Sequence, residues 1–378
     1  MGILLAGLFT CPFITTMECG VKGMAANDKS WRAPLRNPHT AQVYLTSPGY
    51  QFWETPAFRR VLCVDSDPGR EYQRRDGKIK SAIHWGQRKL LLSEIEFLTL
   101  IGDEALAGGT VVYAGAAPGT HVGCLSEMFP RVNFVLVDPA PFTVKPSAKI
   151  RLISDLFTDE LAMELKDQYG QNNVYFVSDI RTADPDRDTP GESERKIKSD
   201  MEAQMRWHLM MESKRSMFKF RLPWDDESSE YLDGDVYLPV WGPQTTTECR
   251  LVTRAGQPRA MRTYDHKKYE SQMFYFNSLT RVSLYEHDVT APGVDHCYDC
   301  RAEVHILGEY TRKADALRGD ICEMSQFISQ QISRRRTLSD PNPDKEKRKI
   351  AIRKRQYEDG TVPAHEAAEE RRTGRRIK

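Results

Sequence analysis

The sequence is short of the features that mark a membrane, secreted or strongly charged protein. Its most apolar stretch, Gly2 to Thr16, falls below the roughly 20 residues a spanning helix needs, and no other segment could cross a bilayer. Gly2 to Thr16 resembles the centre of a signal peptide but lacks the basic residues that precede one. Ala6 stands where N-myristoylation requires Ser or Thr. A flexible leader is therefore expected over residues 1–45, with Met17 or Met24 as alternative starts. The 54 basic and 53 acidic residues leave a net charge of only +1, so any surface for nucleic acid must be local. Eight cysteines (Cys11, Cys19, Cys63, Cys124, Cys249, Cys297, Cys300 and Cys322) form no regular framework, which points to reduced thiols rather than disulfides. A G-x-G-x-x-G fingerprint and a P-loop are both missing, and there is no internal repeat.

What is present suffices for a full core: 40% of the 378 residues are hydrophobic and 10% aromatic. Apolar residues recur at helical spacing from Gln87 to Leu100, and Gly102 ends the run. Short β-branched runs follow at Thr110 to Gly115, Asn133 to Asp138 and Asn173 to Asp179, the first separated from the second by a loop and a helix. Further strands are expected at 219–222, 236–238 and 248–253, and a helix at 321–336. Strands alternating with helices imply an α/β domain, over 46–336, with a mostly parallel central sheet and helices on both faces. The blocks KEKRKIAIRKRQ and RRTGRRIK lie in a basic tail, 337–378, expected to be disordered or helical.

The most informative stretch is Tyr113-Ala-Gly-Ala-Ala-Pro-Gly-Thr-His121, between a strand and a helix. In open α/β sheets, ligands settle at the carboxyl ends of strands. Gly115 and Gly119 admit close approach of a ligand to the backbone. Asp138 and Asp179 each close a strand, and Asp138, at the end of the second, can accept hydrogen bonds from ribose hydroxyls. The set suits a zwitterionic amino-acid ligand such as S-adenosylmethionine.

Six segments in this order, GQRKLLL, VVYAGAAPGTHV, VSDIR, FKFRLPW, TTECRL and KKYESQMFYFN, resemble the poxvirus-type cap-specific mRNA 2′-O-methyltransferases and the related kinetoplastid enzymes. The resemblance runs from His84 to Asn277, roughly half the chain. It implies a Rossmann-like methyltransferase fold, S-adenosylmethionine as cofactor, and methylation of the ribose 2′-hydroxyl of the first or second transcribed nucleotide. It also implies a catalytic tetrad at Lys89, Asp179, Lys219 and Glu248, with Lys219 as base, and cofactor contacts at Gln87, Tyr113, Gly115, Gly119, Asp138, Phe157 and Asp179. Ala140 stands where the family has a basic residue. For the methylated guanine of the cap, the matching positions are Trp224 and Tyr72 as rings and Asp226 and Glu270 as carboxylates, accompanied by Arg221 and Thr246. Implied partners are 5′-capped RNA and other capping or polyadenylation proteins, without a membrane. The expected compartment is the nucleus, or the cytoplasm for a viral enzyme. Other readings are a stimulatory subunit of a poly(A) polymerase, a ribosomal-RNA 2′-O-methyltransferase and, most distantly, a nucleotide-binding oxidoreductase.

The chemistry explains the residue types. A ribose hydroxyl is a poor nucleophile and needs a base as the new bond forms. Lysine serves only if its charged form is destabilised, by burial or by nearby cations. Methylated guanine is a delocalised cation, which aromatic faces attract. Met201 to Met217, rich in Met and Arg, reads as an amphipathic helix or loop near RNA or as a core helix. His296, Cys297, Cys300 and His305 suggest zinc, but a single C-x-x-C without a second pair is insufficient, and no metal is assigned.

Overall fold

Three apolar runs, TVVYA, NFVLV and VYFVS, set the middle of the protein. Parallel strands covered on both faces need no polar alternation. The computed structural model describes residues 29–33, 36–37, 39–40, 56–72, 86–170, 173–184, 187–225, 227–243, 246–291, 293–313 and 320–333. In it, these runs become β2 (Thr110–Ala114), β3 (Asn133–Val137) and β5 (Val174–Ser178), with every residue of β2 and β5 buried. The other strands of the same sheet are β1 (Val61–Leu62), β4 (Ile150–Ile153), β6 (Arg215–Phe220), β8 (Gly234–Tyr237) and β9 (Cys249–Thr253).

The order across the sheet is β1-β8-β9-β6-β5-β2-β3-β4. Strands β4, β3, β2, β5 and β6 run parallel; β9 is antiparallel to β6, β8 to β9, and β1 to β8. The chain leaves β2 toward β3 and returns on its other side as β5. That reversal opens a crevice at the carboxyl ends of β2 and β5, where a doubly wound sheet takes its ligands. Strands β7 (Ser228–Leu232) and β10 (Met261–Asp265) pair in a separate two-stranded sheet.

Right-handed crossovers in opposite directions from β2 send helices to opposite faces. Helix α1 (Gly86–Ile101) packs with α2 (Val122–Met128), α6 (Tyr298–Lys313) and α7 (Ile321–Ser333), whereas α3 (Asp159–Tyr169) packs with α4 (Pro190–Met211). On α1, Leu91, Leu92, Ile95, Phe97 and Leu98 are buried. Each such side chain contributes about 1.5–3 kcal/mol relative to an exposed one. Helix α4 opens on a capping box in which Thr189 and Glu192 satisfy each other's backbone N–H. Helix α5 (His266–Tyr275) is capped by Asp265.

Several expectations need correction. The strand read at 219–222 spans Arg215–Phe220. The segment Met201 to Met217 is divided: α4 ends at Met211 and Met217 is a buried residue of β6. Part of the expected leader is packed rather than loose. Trp31 stacks on His296 at 4.7 Å, Asn37 accepts the His296 N–H at 2.8 Å, and His39 donates its N–H to Asp295 at 2.8 Å. Residues 1–28, 41–45 and the basic tail lie outside the described residues. Among the described residues, no helix is long and apolar enough to cross a membrane.

Candidate functional site

Gly115 and Gly119 have φ of +77° and +67°, the left-handed region where a side chain is strained. A Cβ on Gly115 would lie 2.8 Å from the Ile180 nitrogen and 3.0 Å from the Asp179 carbonyl carbon. The glycine thus lets the end of β2 abut the turn after β5. Asp138 ties this turn together: Oδ2 accepts the Ala117 N–H at 3.0 Å and Oδ1 the Ala140 N–H at 2.8 Å. Ala140 therefore meets Asp138 through its backbone, where the family pattern has a basic side chain. Gln87 Oε1 meets His121 Nδ1 at 2.8 Å, and His121 Nε2 meets Glu94 at 2.9 Å, so the buried His121 braces the glycine turn against α1. Two of the expected cofactor residues are buried among other rings. Tyr113 is 1% exposed, with its ring edge on His121. Phe157 packs in the core on Trp207 at 4.6 Å and on Phe176 at 5.5 Å.

At the crevice, Lys89, Asp179, Lys219 and Glu248 converge from four elements. Lys89 lies in the first turn of α1. Its neighbour Arg88 points into the core, where its Nε donates to Glu303 of α6 at 2.8 Å and its guanidinium reaches Ser329 of α7 at 3.0 Å. Anchored so, the helix presents Lys89 Nζ to Glu248 Oε1 at 2.8 Å. Lys219 Nζ lies 3.2 Å from Asp179 Oδ1 and donates to the Asp179 carbonyl oxygen at 2.8 Å. Glu248 is held just before β9, its N–H donating to Thr246 Oγ1 at 2.9 Å.

Sequence reading missed a fifth member, Arg250. It pairs with Lys219 in the β6–β9 register, so both side chains leave the same face of the sheet. Two cations placed opposite each other repel unless carboxylates separate them. Arg250 donates to Asp179 Oδ1 at 2.7 Å and to Glu248 Oε1 at 3.0 Å. Its signal was period-two spacing: Arg250 follows Glu248 by two residues at the start of an expected strand. Arg181, two residues after Asp179, adds a further cation 3.8 Å from Glu248.

The electrostatics follow from burial and this pairing. Burial lowers the proton affinity of Lys219, and Asp179 and Glu248 offset that only in part. Burial alone would raise the Asp179 carboxyl, but Lys219, Arg250 and Lys89 outweigh it and hold the group below the usual carboxylate range. The same cations, Lys89 foremost, hold Glu248 well below its usual range against the effect of burial.

Glu248 also lines a cleft of about 290 Å³, together with Arg181, Arg221, Thr246 and Thr247. Arg221 joins Glu194 at 2.6 Å, and its guanidinium lies 5.5 Å from the Trp224 ring centroid. Tyr72 approaches Trp224 edge-on, with centroids 6.5 Å apart and planes at 73°, and contacts Phe274 similarly at 5.3 Å. The expected pair of rings is thus together but not parallel. Glu270, half-buried, pairs with Lys267 at 3.0 Å. Asp226 lies outside the described residues.

The chain is similar to several known proteins. Residues 62–311 match the family described as Poly A polymerase regulatory subunit. The chain is 28% identical over 216 residues to the cap-specific mRNA (nucleoside-2′-O-)-methyltransferase of Myxoma virus (strain Lausanne), over 53% of this chain and 63% of the relative. It is 26% identical over 243 residues to the protein of the same name from Fowlpox virus (strain NVSL), over 60% of this chain and 77% of the relative. The chain thus spans less than two thirds of the length of the Myxoma relative. Among solved structures, bluetongue virus VP4, described as a multifunctional RNA-capping production line, aligns with a TM-score of 0.42 at 12% identity, over 68% of this chain and 38% of that one. With well over half of its residues matched, the chain belongs to the Poly A polymerase regulatory subunit family.

Proposed function

We propose that this protein transfers a methyl group from S-adenosylmethionine to the ribose 2′-hydroxyl of the first or second transcribed nucleotide of capped mRNA. The observation that carries this reading is the Lys219 ammonium, its side chain only 10% exposed, 3.2 Å from Asp179 in the crevice at the carboxyl end of β5. The poxvirus relatives, named as cap-specific 2′-O-methyltransferases, support the same reaction class.

The crevice fits the cofactor. Gly115 and Gly119 let the turn fold tightly against Ile180 and Val144, and the half-buried Asp138 carboxylate keeps lone pairs for ribose hydroxyls beyond its two backbone bonds. When bound, S-adenosylmethionine supplies an electrophilic methyl on a sulfonium. The chain's own work is positioning and proton handling. Lys219, its charged form disfavoured by burial, takes the hydroxyl proton. Asp179 orients the Lys219 amine, and Arg250 fixes Asp179. Glu248 does the same for Lys89. Holding the nucleophile in line supplies much of the rate. Arg181 and Arg221 in the cleft meet RNA phosphates. Trp224 and Tyr72 supply the rings for the methylated guanine cation, with Glu270 at the base edge.

The test is methyl transfer by the purified chain to short capped RNA, with the modified nucleotide mapped by mass. A 2′-O-methyl group near the cap, lost in Lys219→Ala, is expected; an intact chain that leaves capped RNA unmodified overturns the reading. The family description, Poly A polymerase regulatory subunit, lends slight support to a second role, stimulation of a poly(A) polymerase. That role needs no base, so it would persist in Lys219→Ala.

A further inference from the structure

Behind the cleft lies a second cluster of buried reactive groups that methyl transfer does not use. His39, from the N-terminal segment, meets Asp295, Cys297 and Cys300 at the start of α6, and one donor atom from each lies within 4.8 Å of all the others. We propose that these four residues form a tetrahedral zinc site.

The histidine–sulfur distances match those around zinc, and the histidine–carboxylate distance is a few tenths of an ångström shorter. Zn–S bonds near 2.3 Å and Zn–N or Zn–O bonds near 2.0–2.2 Å, at tetrahedral angles, separate neighbouring ligand atoms by roughly 3.3–3.8 Å. His39 Nδ1 stands 3.5 Å from Cys297 Sγ, 3.4 Å from Cys300 Sγ and 3.0 Å from Asp295 Oδ1. One nitrogen therefore faces three acceptor atoms. Imidazole carries a single hydrogen at Nδ1, so hydrogen bonding alone satisfies at most one of the three well. A cation at the centre satisfies all four donor atoms together.

The surroundings fit the same reading. Ligating thiolates and carboxylates are steadied by outer hydrogen bonds. Here the Asp295 N–H points to Cys300 Sγ at 3.3 Å and the Cys300 N–H to Cys297 Sγ at 3.4 Å. The Cys297 N–H donates to Asp295 Oδ1 at 2.9 Å, and the His39 N–H to Asp295 Oδ2 at 2.8 Å. These four donors offset the negative charge that two thiolates and a carboxylate leave around a divalent ion. Two sulfurs, a nitrogen and an oxygen in a closed tetrahedron suit zinc rather than magnesium or calcium. On binding, both thiols lose their protons, as does His39 if it is protonated. No ligand position is left for a reacting molecule, so the ion is structural.

The histidines adjacent to the C-x-x-C in sequence are not ligands. His296 Nδ1 meets the Tyr285 carbonyl oxygen at 2.9 Å, and the His305 ring lies against Phe58. The true histidine stands 258 residues before Cys297, which is why the sequence pattern looked incomplete. Bound zinc would staple the segment around His39 to α6.

The full chain, purified under reducing conditions from zinc-supplemented medium, should carry one zinc per chain by elemental analysis. X-ray absorption at the zinc edge should show two sulfur and two nitrogen or oxygen neighbours. Cobalt exchanged into the site should give thiolate-to-cobalt charge transfer and tetrahedral visible bands. Cys300→Ser and His39→Ala should weaken zinc binding at least tenfold, whereas Cys322→Ser should bind as the unaltered chain does. Because the first three measurements use the unaltered chain, a variant that fails to fold does not rescue the idea. Absence of stoichiometric zinc after incubation with excess metal, or a sulfur-free coordination sphere, overturns it.

Discussion

Two polar clusters, one half-buried and one buried, meet the same loop, and they ask for opposite partners. At one end of the loop, Glu248 joins Lys89, Lys219, Arg250, Arg181 and Asp179: four cations around two carboxylates, beside an open cleft. At the other end, the Trp241 ring meets the edge of His39, 5.3 Å away, in a closed set of sulfur, nitrogen and oxygen donors. The first has a surplus of positive charge and access, and suits an anionic chain such as RNA. The second has lone pairs and no access, and suits a metal ion. Asp299 links them mechanically: it accepts the Trp241 N–H at 2.8 Å and pairs with Arg281, which in turn donates to the carbonyl oxygens of Gly242 and Pro243, both at 2.7 Å. Openness and the sign of the charge, together with the deeper burial of the second set, separate the reactive cluster from the structural one.

Removing the base should separate the two clusters most sharply. Lys219→Ala is expected to lower kcat for methyl transfer on the order of 10³-fold, by analogy with the loss of other positioned bases. Zinc content and thermal midpoint should change little. The pH profile carries the same distinction. The neutral amine is the active form, so the rate should rise with pH and level off below the ordinary lysine range, because burial lowers the Lys219 proton affinity. Lys219→Arg, which keeps the charge but cannot deprotonate, should abolish that rise. The linkage sign agrees: a lysine depressed in the folded state makes stability increase with pH between its folded and unfolded values. A rate independent of pH in the unaltered chain would remove Lys219 from the base role.

A smaller loss is expected where the backbone, not a charge, builds the open cluster. Gly115→Ala places a Cβ 2.8 Å from the Ile180 nitrogen at a φ of +77°. Strain of this kind costs about 1–3 kcal/mol. It should appear as a lower unfolding midpoint and as weaker S-adenosylmethionine binding by calorimetry. Gly123→Ala, where no atom lies within 4 Å of an added Cβ, is the control and should bind normally. Equal binding by both variants would mean that the glycine turn does not hold the cofactor.

What the sequence disclosed follows the range of the forces involved. The strands β2, β3 and β5 were legible because burial on both faces writes an apolar run into consecutive residues. The glycine turn was legible because its chemistry is local. Asp179 stood out as a carboxylate closing a strand, whereas Lys89, Lys219 and Glu248 were assigned to the site only through their motifs. Arg250 escaped although it adjoins the motif residue Glu248, since its role depends on the β6–β9 register. His39 escaped altogether, because its partners lie beyond residue 290 and the chain around it reads as a loose leader. The helices α3 and α6 were not anticipated, and α6 begins inside the C-x-x-C that drew attention to zinc.

The smallest effect is expected at the aromatic edge of the cleft, where the arrangement is least complete. Trp224 is half-buried and already faces Arg221, while Tyr72 is 39% exposed and edge-on. An exposed cation–π contact contributes about 0.5–1 kcal/mol, and more once water is excluded. Trp224→Ala should therefore weaken binding of a methylated cap analogue by about three- to tenfold in a fluorescence titration. The loss should shrink for unmethylated guanine, which lacks the positive charge. Zinc binding and the Lys219 pH profile should be untouched. A loss equal for methylated and unmethylated analogues would mean that Trp224 acts by stacking and area alone, and the cationic part of the cap assignment would fall.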